Sequence, residues 1–220
     1  MEKTMNNNTV ILSGTVTAGF EFSHELYGEK FYQVTMAVKR NSGVMDHIPV
    51  MVSDRLLDVK QEYCGKRWKV EGQYRSYNKW EGGKSSLLLF VFAREVEVLE
   101  EPEEDQPVVD ENLIVLSGFL CKKPIYRETP LGREISDLLV AVNRPYGKSD
   151  YIPCLVWGRN AKYMAEQEIG VRVQLSGRIQ SREYVKCYED RTEEKRAYEV
   201  SVTKLEVLKE HEKEESVSIE

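Results

Sequence analysis

LLVAVNRPYGKSDYIPCLVWG, residues 138–158, reads as two apolar strands joined by a turn through Arg144, Pro145, Tyr146, Gly147 and Lys148. VTMAVKRNSGVMDHIPVMVSD, residues 34–54, repeats it. Ala37, Val38, Arg40, Gly43, Asp46, Ile48, Pro49 and Val52 recur as Ala141, Val142, Arg144, Gly147, Asp150, Ile152, Pro153 and Val156, each displaced by 104 positions. One fixed offset shared by so many residues marks a duplicated unit.

The match continues on both sides. VILSGTV (10–16) pairs with IVLSGFL (114–120), and Gly28 with Gly132, at the same offset. RWKVEGQYRS (67–76) pairs with RVQLSGRIQS (172–181) at 105, and SLLLFVFAREVEVL with AYEVSVTKLEVL at 109. The slippage falls where loops belong. Each copy reads as three strands, a short helix and two strands, from Val/Ile/Tyr/Thr enrichment and period-two alternation. The helix candidates are DRLLDVKQEYC (54–64) and RNAKYMAEQE (159–168), which stop before Gly65 and Gly170. This order is that of the OB-fold, although propensity alone leaves a small sandwich or an SH3-like barrel open. The expectation is an all-β protein with one short helix per repeat. Two tandem OB-fold barrels, over 7–99 and 112–208, are joined by an acidic linker (100–111) and followed by a short acidic tail (209–220).

The 220 residues carry a net charge of −6, which argues at first against a nucleic-acid partner. The distribution reverses that reading. Residues 94–111 hold nine acids and one arginine, net −8, and residues 206–220 hold six acids and two lysines, net −4. Residues 9–93 and 112–205 are therefore mildly basic, at +2 and +4. No apolar run is long enough to span a bilayer, and MEKTMNNNT has no leader-like apolar region, so a cytoplasmic protein without membrane contact is expected. Cys64, Cys121, Cys154 and Cys187 are far apart, and His24, His47 and His211 form no ligand pattern, so neither a metal nor another cofactor is expected.

NLIVLSGFL (112–120), the Tyr-Arg-x-Thr-Pro-x-Gly run at 126–132, LVAVNR (139–144), DYIPCLVWG (150–158) and GRIQSREY (177–184) resemble the bacterial single-stranded-DNA-binding protein family in order and spacing. The first repeat resembles it more weakly, through VILSGTV, MAVKR and HIPVMV. The resemblance implies a tandem two-OB member that binds and protects single-stranded DNA in replication, recombination or repair, without enzymatic activity. It also implies a nucleoid-associated homo-oligomer, a dimer supplying four OB-folds, with replication or repair proteins as further partners. The family's acidic tip with a terminal Pro-Phe is not matched by KEESVSIE, so recruitment through such a tip is not expected.

A single-strand binder needs cations along a groove and exposed rings for base faces. Alternation places Ile152, Cys154 and Val156 inward and Tyr151, Pro153, Leu155 and Trp157 outward. It places Val173, Leu175 and Ile179 inward and Arg178, Gln180, Arg182, Tyr184 and Lys186 outward. The resemblance assigns base stacking to Trp157, Tyr151 and Tyr184, with Tyr146 as a looser match. Arg127, Arg133, Arg144, Lys148, Arg159, Arg178, Arg182 and Lys186 are the candidate phosphate contacts. In the first repeat His47 stands for Tyr151 and Ser53 for Trp157, which leaves Arg40, Arg75, Tyr77 and Lys79 as weaker candidates, with Trp68, Val70 and Trp80 facing inward. The competing reading is a protein-interaction or assembly module of primosome or mobile-element type with weak DNA affinity. A nuclease would need clustered carboxylates or a nucleophile pair, and neither pattern is present.

Overall fold

The computed structural model describes residues 7–100, 109–187 and 191–208. The first repeat forms β1 (Asn8–Leu26), β2 (Glu29–Lys39), β3 (Met45–Ser53), β4 (Arg67–Glu81) and β5 (Lys84–Leu99). The second forms β6 (Asn112–Leu120), β7 (Ile125–Glu128), β8 (Glu134–Asn143), β9 (Ser149–Trp157), α1 (Arg159–Ala165), β10 (Arg172–Cys187) and β11 (Thr192–Leu208). In the first repeat β1 pairs with β2 and β4, β2 with β3, and β4 with β5, and the parallel pairing of β3 with β5 at Val50–Val91 closes the barrel. In the second, β6, β8, β9, β11 and β10 form the same ring, closed by parallel pairing of Cys154 with Val200. The expected pair of OB-type barrels is formed, and β7 adds a short strand to β8.

Closure needs backbones to pass within reach of each other. A Cβ on Gly14 or Gly118 would meet the Ala37 or Ala141 carbonyl oxygen, and one on Gly72 or Gly177 would meet that of Phe92 or Ser201. Only glycine fits at such crossings, which explains both Ser-Gly pairs of the repeat. The barrel interiors are filled by the alternating apolar residues, among them Val10, Leu12, Met36, Val50, Trp68 and Tyr74 in one, and Ile114, Leu116, Ile152, Leu175, Ile179 and Val200 in the other.

The two barrels are one body. β1 pairs antiparallel with β6 about the Val10–Ile114 pair, and these two residues are counterparts at the repeat offset, so a local twofold passes between them. The same symmetry builds two clamps. Asp150, fully buried, accepts from Arg144 Nε (2.7 Å), Arg144 Nη2 (2.5 Å), Arg75 Nη1 (3.0 Å) and the Ser76 N–H (2.7 Å). Asp46, its counterpart, accepts from Arg40 Nε (2.6 Å), Arg40 Nη2 (2.5 Å) and the Ser181 N–H (2.6 Å). Each carboxylate thus ties its own hairpin turn to β4 or β10 of the other barrel.

Three expectations are corrected. Residues 54–64 form turns, not a helix. There Asp58 Oδ1 accepts from the Lys60 N–H and Glu62 Oε1 from the Cys64 N–H, and such short-range side-chain bonds compete with the helical ladder. One α-helix, α1, is present among the described residues, besides a single 3-10 turn at Pro145–Gly147. Trp80 is 74% exposed, because the β4–β5 hairpin runs on past the barrel and offers no core at that height. Leu155 is buried, since it lies at the parallel closure beside Ser201. The acidic connector falls mostly, and the acidic tail wholly, outside the described residues. Of the connector, Asp110 is described: it bonds Arg67 Nη2 at 2.8 Å and accepts from the Lys39 N–H.

Candidate nucleic-acid interface

Tyr151 and Trp157 project from β9 between the buried Ile152, Cys154 and Val156, and remain 43% and 37% exposed. Six strand residues apart, they stand roughly 20 Å from one another along the strand. Trp157 Nε1 donates to Ser201 Oγ (3.2 Å), which fixes the indole across β11 with part of its surface open. Gly158 follows with φ +58°, a left-handed turn that carries the chain into α1. Tyr184, 39% exposed, lies on the β10–β11 hairpin, directly across from Lys195. Tyr146, at the tip between β8 and β9, is 91% exposed and has φ +64°, a conformation a tyrosine adopts only under constraint.

The candidate cations divide by what holds them. Arg133, Lys148, Arg159, Arg182 and Lys186 are exposed. Arg127 is held by Asp137 at 2.6 and 3.1 Å, and that hydrogen bond raises its pKa further. Arg178 is half-buried, and its Nε has no hydrogen-bond partner among the described residues. Arg144, Arg75 and Arg40 are spent partly on the two buried aspartates. Burial lowers the Arg75 pKa, while the Asp46 hydrogen bond raises that of Arg40.

The clamps decide what lies beside what. The Tyr151 N–H donates to Ser76 Oγ (2.8 Å), so Tyr77 of the first repeat, exposed like Lys79, sits next to the ring strand of the second. The His47 N–H donates to Ser181 Oγ (3.1 Å), which brings the Arg182–Tyr184 stretch against the first barrel. Each barrel's outward face is therefore completed by a hairpin of the other, an arrangement that alignment of the two copies does not reveal. Acids are interspersed: Gln180 Nε2 donates to Glu199 at 2.6 Å, and Glu183 pairs with Arg196. Among the described residues no group of three His, Cys, Asp or Glu side chains converges as a metal site, and burial pushes the Cys154 thiol far up.

Arg75, Tyr77 and Lys79, the weaker first-repeat candidates, share one surface with the apolar run LLLFVF (87–92), whose strand faces suit an interface. A groove of about 810 Å³ crosses the first barrel, floored by Phe90, Phe92, Leu88 and Met51. The signal was in the sequence, in the run LLLFVF, but it lies on a different strand from the rings of the second repeat.

Fold and surface define a class first: paired OB-type barrels presenting rings and cations outward. Residues 111–208, the second barrel, match the model of the single-strand binding protein family. The single-stranded DNA-binding protein of Oceanobacillus iheyensis is 36% identical over 80 residues, which are 33% of this chain and 50% of that protein. Single-stranded DNA-binding protein 3 of Listeria innocua matches with the same identity and coverage. The chain spans about half the length of the curated relatives it matches. The crystal structure of a deletion mutant of the single-stranded DNA binding protein from Thermus aquaticus shares the fold over 94% of this chain and 98% of its own, with TM-score 0.75 and 22% identity.

Proposed function

We propose that this chain binds single-stranded DNA with little regard to sequence, stacking bases on exposed rings and pairing phosphates with the cations around them. The observation that carries the reading is the coincidence of the family domain with three partly exposed rings, Tyr151, Trp157 and Tyr184. Tyr146 adds a fourth at the rim. Arg127, Arg133, Lys148, Arg159, Arg178, Arg182 and Lys186 supply phosphate contacts. Arg144 contributes the charge left over when two guanidiniums share the one carboxylate of Asp150. The protein acts by coating exposed strands in replication, recombination or repair, in the cytoplasm at the nucleoid, and performs no chemistry on them. Two chains pair to present four barrels. The adjacent Ile11 and Leu113 on the outer face of the β1–β6 junction, with Glu71 paired beside Ile11, support that pairing.

The test is a titration with an oligo-dT strand, followed by tryptophan fluorescence at several salt concentrations and repeated with Trp157→Ala. Expected are quenching that the variant loses and an affinity that falls with salt at a log–log slope near −0.7 per neutralised phosphate. Running the same mixture in a sedimentation experiment counts chains per strand. No binding at low salt would sink the reading and leave an assembly module that recognises protein partners.

A further inference from the structure

Across β10 and β11 the second barrel presents a row of paired positions. Arg178 lies opposite Ser201, Gln180 opposite Glu199, Arg182 opposite Ala197 and Tyr184 opposite Lys195. Residues opposite each other in an antiparallel ladder project to one side, and so do positions two apart, so all eight share the outward face. The Trp157 indole sits at the barrel end of this row, where its Nε1 donates to Ser201 Oγ. Tyr184 lies at the other end, six residues on from Arg178. Between the two rings, about 7 Å along from the Ser201 step, stands the carboxylate of Glu199.

A carboxylate is at odds with a surface that pairs phosphates. This one is half-buried, and among the described residues its hydrogen-bond donor is the Gln180 amide, at 2.6 Å. The neighbouring guanidiniums have closer partners: Asp137 holds Arg127 at 2.6 and 3.1 Å, and Asp46 holds Arg40. Those partners raise the two arginine pKa values most, and Glu199 adds a smaller push from further off. The first barrel has no such pair. The closure pairings Val50–Val91 and Cys154–Val200 make Phe90 the counterpart of Glu199, and the repeat puts Arg75 in the place of Gln180.

Chemistry fixes how the pair is turned. A carboxylate only accepts, so the Gln180 nitrogen faces Glu199 Oε1. Among the described residues Oε2 receives no donor, which leaves an acceptor on the outward face beside the indole. Bases differ in what they offer it. Cytosine, adenine and guanine carry an exocyclic amino group, whereas thymine carries carbonyl oxygens, which a carboxylate repels.

We propose that Glu199, held by Gln180, reads the exocyclic amino group of the base stacked on Trp157, so that this position favours amino-bearing bases over thymine. The inference rests on the proposed single-strand binding and deepens it: the other contacts stay indifferent to sequence, and one base position is discriminated. An acid that merely repelled phosphates would weaken every strand alike. A base reader changes the ratio between strands.

The full chain is titrated with dC and dT oligomers of equal length, so that ring size and phosphate number match. The ratio of the two dissociation constants is compared among the parent, Glu199→Gln and Glu183→Gln. Glu183 is also on β10 but out of step with the outward row, paired with Arg196. The parent should favour dC over dT by about fivefold more than Glu199→Gln does, and Glu183→Gln should match the parent. A second measurement needs no variant. Replacing the cytosines by 2-pyrimidinone, which lacks the amino group, should weaken binding to the parent by about fivefold. A dC/dT ratio unchanged by Glu199→Gln, or indifference of the parent to loss of the amino group, overturns the base reading and leaves single-strand binding standing. No binding of any oligomer at low salt overturns the single-strand reading itself.

Discussion

Replacing Asp150 by alanine should weaken the fold more than any other single surface-distant change in polar chemistry. The carboxylate is fully buried and accepts four hydrogen bonds, three of them from guanidiniums at 2.5–3.0 Å and one from the Ser76 amide at 2.7 Å. Removing one partner of a buried ion pair costs about 3–5 kcal/mol, because the other charge stays behind unpaired. Here two like charges stay behind together, and the Ser76 N–H loses its acceptor, which adds about 1–3 kcal/mol. Against this, the Arg144 and Arg75 side chains are 28% and 16% exposed and can turn partly toward water. The expected net loss is about 3–4 kcal/mol. Asp46→Ala should cost less, since one guanidinium rather than two faces Asp46 across its clamp. The internal control is Asp137→Ala, whose pair with Arg127 is open to solvent on both sides and is worth under about 1 kcal/mol. Urea unfolding followed by far-ultraviolet circular dichroism reads all three. Since the Asp150 clamp ties β9 to β4, its loss should also split the single transition into two as the barrels uncouple. An Asp150→Ala midpoint no lower than that of Asp137→Ala would refute the reasoning, because burial and cross-barrel bonding would then count for nothing.

Two further outcomes follow from local geometry. Gly118→Ala drives a methyl into the Ala141 carbonyl, which backbone must move to relieve, so a loss of about 1–3 kcal/mol is expected in thermal unfolding. Gly19→Ala, where a Cβ meets nothing within 4 Å, should leave the midpoint nearly unchanged; equal effects would mean the barrel crossing is not tight. The Arg196 hydrogen bond holds the Glu183 carboxyl below the ordinary 4.5. The folded protein therefore binds that proton less readily than the unfolded chain does, so the contribution is full above about pH 4.5 and disappears as pH falls through the depressed value. Carboxyl NMR titration should find Glu183 low in the parent and near 4.5 in Arg196→Gln; an ordinary value in both would remove the pair from the hairpin.

The duplicated stretch made the barrels legible because strand alternation and glycine spacing are local properties that sequence carries directly. The repeat offset even foreshadowed the symmetry axis, since Val10 and Ile114 are counterparts that meet. The clamps were half visible: Arg40, Asp46 and Ser76 recur as Arg144, Asp150 and Ser181, but nothing in the spacing says that each aspartate serves the serine of the other copy. The helix at 54–64 failed because Asp58 and Glu62 bond backbone two residues away, a choice that periodicity cannot register. Trp80 failed because parity says which side a residue takes, and not whether the barrel extends that far. Arg75, Tyr77 and Lys79 were legible as first-repeat candidates and LLLFVF as an apolar face, but that they share one groove was not, because the β4–β5 register that sets Arg75 beside Phe90 is not written in either strand alone.

An interface between identical copies obliges both to keep the same surface, because each residue must serve on both sides of the axis. Joining the copies in one chain removes that obligation, and a short connector holds the second barrel at an effective concentration of around millimolar, so pairing no longer limits assembly. What the two halves still share is then informative. The eight residues repeated at offset 104 are apolar or proline strand positions, a turn glycine, and the arginine and aspartate of the clamps; none is a ring. Residues facing the core or the other barrel have stayed alike, because the local twofold makes them answer to the same geometry. Residues facing outward have separated, into β9 rings on one side and β5 rings on the other.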